Sequence, residues 1–309
     1  MKVLETATSI TFKNILLLTD FSEASKAASA YALGLARHFG AQLFPAHAFD
    51  PLILTEITDA TLLHRVAENA EKQLAGLIQE KDVPVHPLFM QGMIETAFPR
   101  WINENGIDLV VVGTHGRRGL QRLLMGSTAE FVFRNATCPV LTVGPHVDVR
   151  PYAGFRAGNI LFPTDLGAHA GFGATYALSF AHEANARLAL LHVIPLDSAV
   201  SCDRYEITRT ALGKLKTLVP PDAQLWCKPE FSVEVGEPEE KIVDFAESAR
   251  PDLIVLGLPQ NKEFSAHFRT GVTYKTICSA PCPVLTVRDM TPQPLKLEGN
   301  RKESLNLRS

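Results

Sequence analysis

The sequence predicts an α/β protein made of two tandem, open, five-stranded parallel α/β sandwiches, and three observations carry that prediction. Short apolar runs alternate with stretches of helical periodicity along most of the chain. The whole pattern occurs twice: Asn14-Ile-Leu-Leu-Leu-Thr-Asp20 returns as Asn159-Ile-Leu-Phe-Pro-Thr-Asp165, and Ala136-Thr-Cys-Pro-Val-Leu-Thr-Val143 returns as Ala280-Pro-Cys-Pro-Val-Leu-Thr-Val287, offsets of 145 and 144 residues. Each copy has the roughly 140 residues with which a single domain can bury its own core.

In the first copy the periodicity places a strand over 14–19, a helix over 22–39, a strand over 42–49, a long helix from about 55 to 81 and a strand over 83–90. A helix over 94–105, a strand over 107–113, a helix over 127–135 and a strand over 139–143 follow. Residues 107–112 form one continuous apolar run, as expected of a strand covered on both faces of a parallel sheet. Ser127 and Glu130 have the Ser-x-x-Glu spacing of a capping box, which starts a helix at Ser127. Strict alternation of strand and helix implies right-handed crossovers and helices on both faces. The second copy keeps the order from Asn159 to Val287, with helices near 171–185, 205–218 and 239–248.

The domain boundaries follow as 1–147 and 155–290, with a linker rich in proline and glycine across 144–158. Residues 291–309 carry prolines, a glycine and charges without an apolar stripe, and are expected to be a flexible tail. The composition is 46% hydrophobic and 20% charged with a net charge of -3, an ordinary globular balance without the basic excess of a nucleic-acid binder. No apolar run approaches the roughly 20 residues of a membrane helix, and no signal-peptide layout opens the chain, so no membrane role and a cytoplasmic location are expected.

The segment whose spacing points to a ligand is VVGTHGRRGLQRLLMGS, which contains Gly113-x2-Gly116-x9-Gly126-Ser127 between a strand end and a helix start. Glycines there let main-chain N–H groups approach an anion with no Cβ in the way, and the amino end of a helix adds donors and a positive dipole. The alternative is a plain surface loop. Glu130 in the first turn opposes a phosphate unless its carboxylate turns away.

Other groups read more simply. His47 and His192 end apolar runs and are expected to be satisfied core histidines rather than general bases. Arg117, Arg118 and Arg122 are expected to be solvated loop charges. Five cysteines without paired close spacing make no disulfide framework, and no metal site is expected, since Cys278 and Cys282 lack further ligands. Gly213-Lys214 lacks the rest of a P-loop, and Gly171-x-Gly173 falls inside a helix.

With those residues placed, the chain resembles the universal stress protein family in its tandem form, over nearly everything from Lys13 to Val287. The resemblance rests on the Thr19-Asp20 strand end, the strand from Asp108 to Gly113, the glycine loop and the Cys-Pro-Val-Leu-Thr-Val last strand. It implies a Rossmann-like, adenine-nucleotide-binding fold with ATP, and Mg²⁺ on its phosphates, as cofactors. Gly113, Gly116, Gly126, Ser127 and Thr128 would then hold the phosphates, Asp20 would meet the ribose or the Mg²⁺, and the Ala48 main chain would read the adenine edge. Without the loop, Asp20 is better read as a helix N-cap, although Ser22 can take that role. The resemblance also allows a homodimer and a regulatory protein partner that the sequence does not name.

The second copy departs from the pattern. Gly113 corresponds to Gly257, but Gly116 becomes Gln260, Gly126 becomes Thr270 and Ser127 becomes Gly271, with Glu263 between them. The second domain is therefore expected not to bind ATP in this way. The resemblance implies pairing through the last strands, so that 139–143 would lie antiparallel to 283–287 and the second domain would act as a fused partner. Three functional classes are carried: an ATP-binding stress-response regulator, a slow ATPase or phosphotransferase, and an interaction protein without nucleotide turnover.

Overall fold

The computed structural model describes residues 10–50, 60–79, 81–114, 125–147, 155, 157–197, 203–259 and 271–288. The first repeat contains β1 (Asn14–Leu18), α1 (Glu23–Phe39), β2 (Gln42–Phe49), α2 (Ala60–Gly76), β3 (Leu88–Gln91), α3 (Ile94–Glu104), β4 (Leu109–Gly113), α4 (Ser127–Asn135) and β5 (Val140–Val143). The second contains β6 (Asn159–Pro163), α5 (Ala170–Ala184), β7 (Arg187–Ile194), α6 (Arg204–Thr217), β8 (Lys228–Val235), α7 (Pro238–Ala249), β9 (Leu253–Leu258), α8 (Val272–Ser279) and β10 (Val284–Arg288).

Strand order is β3-β2-β1-β4-β5-β10-β9-β6-β7-β8. Within each half every neighbour is parallel, and the chain runs outward from β1 in one direction, then returns to build β4 and β5 on the other side. The junctions β1/β4 and β6/β9 are thus the switch points at which open parallel sheets form a crevice.

The two halves meet through the expected antiparallel pair, with Leu285 opposite Leu141. Two buried threonines close this seam symmetrically: the Thr142 hydroxyl donates to the Val284 carbonyl and the Thr286 hydroxyl to the Val140 carbonyl, both at 3.1 Å. Pairing the two last strands removes two open edges at once. Ile15 and Leu17 face one layer of the core and Leu16 and Leu18 the other, and both layers run across the repeat boundary. On one face Phe12, Phe39 and Phe155 gather round Phe180 of α5 at centroid distances of 5.7–6.2 Å. The Ile10 N–H also donates to Ser179 Oγ at 2.7 Å.

Two elements are shorter than their periodicity suggests. The strand expected over 83–90 is reduced to β3 and a single bridge between Val85 and Leu43, because Pro84 and Pro87 have no N–H to give the ladder. Of the helix expected from 55 to 81, the described part ends at Gly76, a poor helix residue, and 55–59 lie outside the described residues.

The duplicated cysteines before the last strands are held as thiols. Burial pushes Cys138 and Cys282 up to about 12, aided by the Asp108 and Asp252 carboxylates respectively. The folded chain therefore keeps protons that the unfolded chain releases above about pH 9, so this contribution is intact below pH 9 and is lost as pH rises toward 12. Chemical denaturation at pH 8 and pH 10 is expected to show lower stability at pH 10, and a smaller drop in the Cys138→Ala, Cys282→Ala double variant.

Candidate functional site

The carboxyl end of β1 is built identically in both repeats. Thr19 Oγ1 accepts the Phe21 N–H at 3.0 Å and Asp20 Oδ1 accepts the Ser22 N–H at 3.0 Å. In the second repeat Thr164 Oγ1 accepts from Leu166 at 3.1 Å and Asp165 Oδ1 from Gly167 at 2.8 Å. The residue after each aspartate lies in the left-handed region, Phe21 at φ 63° and Leu166 at φ 59°, a conformation uncommon for a bulky side chain. Such a turn persists only where its surroundings over-determine it. Asp20 Oδ1 also accepts from Ser25 Oγ at 2.9 Å, which fixes the carboxylate at the strand end. Ser22, not Asp20, caps α1, its hydroxyl accepting from the Ser25 N–H.

Both histidines are satisfied as expected. His47 Nδ1 bonds the Thr19 carbonyl and His192 Nδ1 the Thr164 carbonyl, each at 2.8 Å, so the ring pins the end of one strand to the next. Ala48 follows His47. Even-numbered residues of β2 turn their peptide groups toward β1, as the Thr19 N–H to Ala46 carbonyl bond shows, and odd-numbered ones turn toward β3, as the Gly92 N–H to Phe49 carbonyl bond shows. The N–H and C=O of Ala48 thus face the β1 side beyond Leu18, where that strand has ended.

The chain leaves β4 at Thr114 and enters α4 at Gly126, and the Gly126 N–H donates to the Thr114 carbonyl at 2.7 Å, clipping the two ends together. Gly116, Arg117, Arg118 and Arg122 lie outside the described residues. The clip sets the amino end of α4 beside the carboxyl end of β4. Gly126 is the N-cap, at φ -64° and ψ 154°, with no side-chain cap bond. Ser127 is the first helical residue and is exposed with Thr128. The capping box expected from Ser127 and Glu130 is therefore not formed: Glu130 Oε1 accepts from Arg134 at 2.8 Å. The Ser127 and Thr128 amides, in the first turn, have no intrahelical acceptor.

Gly113 has a packing role that the sequence argument did not give it. A Cβ there would sit 2.8 Å from the Ala24 carbonyl oxygen, so glycine is what lets α1 cross the end of β4. Gly257 holds the matching place under looser conditions, since a Cβ there would lie at an ordinary contact distance of 3.4 Å from His169 and Gly173.

In the second repeat the switch point opens into a cavity of about 470 Å³, lined among others by Phe162, Asp165, His192, Val193, Ile242 and Leu258. His169 Nδ1, on its wall, is buried without a hydrogen-bond partner among the described residues. Gln260 and Thr270 lie outside the described residues.

Doubly wound parallel halves, each with a strand-end aspartate and a helix amino terminus at its switch point, define a Rossmann-like α/β protein in tandem form. The chain belongs to the universal stress protein family, whose sequence model matches it twice, over residues 11–144 and 157–288. It is 31% identical over 139 residues to a universal stress protein of Methanocaldococcus jannaschii, a match covering 43% of this chain and 82% of that one. A universal stress protein of Thermus aquaticus is 36% identical over 135 residues, 43% of this chain and 98% of the other. The crystal structure of a universal stress protein from Archaeoglobus fulgidus superposes with a TM-score of 0.67 over 89% of this chain and 98% of that one, at 16% identity, and so shares the fold. Among the described residues no helix is long and apolar enough to cross a membrane.

Proposed function

We propose that the chain is an ATP-binding regulatory protein of the stress response in the cytoplasm, with nucleotide held in the first repeat and the second repeat serving as its fused partner. The observation that carries this reading is the amino end of α4, clipped to the end of β4 at Gly126, on the edge of the sheet where the parallel strands β1 and β2 also end. The residues fit a triphosphate: the cap is a glycine without a side chain over the first turn, and the Glu130 carboxylate of that helix is paired with Arg134. Gly126, Ser127 and Thr128, with Gly116 of the loop, would hold the phosphates by main-chain N–H and hydroxyl groups. Asp20 would meet the ribose or a Mg²⁺ ion, which would offset the phosphate charge, and Ala48 would read the adenine edge. Gly113 would contribute by letting α1 approach.

Calorimetric titration with ATP in the presence of Mg²⁺ is expected to give one equivalent per chain, and Thr270→Val is expected to leave that value unchanged. Two equivalents would place a nucleotide in the second repeat as well, and none would remove the proposal. Phosphate release near background under the same conditions is the outcome expected of a sensor.

A further inference from the structure

The helix that carries the candidate phosphate cradle is held at both ends by the other repeat. At its amino end the Met125 N–H, one residue before the Gly126 cap, donates to the Tyr274 hydroxyl of α8 at 3.0 Å. Tyr274 is 4% exposed and Met125 6%, so this bond is made out of water, where losing one partner strands the other. The Cys278 thiol shares the spot, with the Tyr274 hydroxyl and the Met125 amide beside it. At the carboxyl end of α4 the Arg288 guanidinium, from the last residue of β10, donates to the carbonyls of Phe133 at 2.5 Å and Arg134 at 3.2 Å. It also lies 5.2 Å from the centre of the Phe133 ring. A cation on the last carbonyls of a helix both satisfies them and complements its dipole.

The two positions are not matched in the other copy. By the repeat offset of 144 residues, the counterpart of Tyr274 is Glu130, which is paired with Arg134 of its own helix. The counterpart of Arg288 is Gly144, which packs bare backbone against α8, where a Cβ would lie 2.9 Å from the Ile277 carbonyl oxygen. The first repeat thus sends neither a hydroxyl nor a guanidinium from these two positions to the second.

We propose that Tyr274 and Arg288 are positioning residues for the nucleotide site of the other repeat, so that occupancy of the first repeat is coupled to helix α8 of the second. The coupling rests on residues 126–128 being the phosphate cradle. A ligand on the first turn of α4 pulls on the peptide between Met125 and Gly126, and Tyr274 is the group fixed to that peptide. By linkage, whatever orders α8 tightens the nucleotide in return.

Amide hydrogen exchange and ATP titration on the full chain test this, using Tyr274→Phe, Arg288→Met and, as a control that also removes a phenol, the exposed Tyr205→Phe. Tyr274→Phe is expected to speed exchange at Met125 without nucleotide, to weaken Mg-ATP binding about tenfold, the worth of one hydrogen bond, and to abolish ATP-induced protection of residues 272–279. Arg288→Met is expected to speed exchange at the carboxyl end of α4 and to weaken binding in the same direction. Tyr205→Phe is expected to match the parent. Met125 exchange unchanged and ATP affinity within about twofold in Tyr274→Phe would overturn the coupling. Failure of the parent chain to bind ATP would overturn the proposed function and the coupling together, while the nucleotide-free exchange at Met125 would still report the Tyr274 contact by itself.

Discussion

Gly126→Val is expected to weaken Mg-ATP binding roughly a hundredfold or more while moving the thermal transition by only a few degrees. Gly126 sits at φ -64° and ψ 154°, in the extended region that valine adopts without strain, so the backbone does not reject the substitution. Valine is a poorer N-cap than glycine, a difference of about 1 kcal/mol, which is small for a chain with two continuous core layers. The functional cost arises elsewhere. A branched side chain at the cap stands over the amides of Ser127 and Thr128, the donors through which a phosphate would be held. Losing two charge-assisted hydrogen bonds at about 1.5 kcal/mol each amounts to about 3 kcal/mol, more than a hundredfold in affinity. Binding retained in a folded Gly126→Val chain would show that the nucleotide does not use this helix end, and a chain that fails to fold would be recognised by its lost cooperative transition.

The repeat and the alternation of strand and helix were legible in the sequence because they depend on patterns that occur twice, and the seam was legible through what the family resemblance implies. Leu141 and Leu285 could be matched by counting residues, and a buried parallel strand announces itself as a continuous apolar run. The strand-end turn was only half legible: Thr19-Asp20 stood out, but the left-handed Phe21 beside it did not, since no glycine or asparagine marks that conformation. The capping box misled because Ser-x-x-Glu spacing states only what the side chains can do. The helix takes Gly126 as its cap, so Ser127 is already inside the first turn, and Glu130 accepts from Arg134. Tyr274 and Arg288 were illegible for a different reason. Their partners lie 149 and 155 residues away in the chain, and nothing in local periodicity says that α8 meets the start of α4.

Leu285→Ala is expected to destabilise the whole chain by about 2–5 kcal/mol, the cost of a cavity at a fully packed leucine, and to do so in a single cooperative transition. Leu285 and Leu141 are directly opposed across the antiparallel seam, and each is 1% exposed. They belong to the core layer that also holds Leu17 and Val111 of the first repeat and Leu190 and Val255 of the second, so a cavity at the seam is felt on both sides. Two units that merely touched would unfold separately, and the substitution would move one transition more than the other. A shared core predicts that far-ultraviolet circular dichroism and fluorescence of Trp101, in the first repeat, and of Trp226, in the second, will lose signal at the same denaturant concentration. The cycle with Leu141→Ala sharpens the point. Because the two side chains share one contact, the double variant is expected to cost less than the sum of the single ones, by about 0.5–3 kcal/mol. Strict additivity, or two separated transitions in the parent chain, would mean that the seam joins two independent folds, and the second repeat would then have no rigid path by which to hold α4.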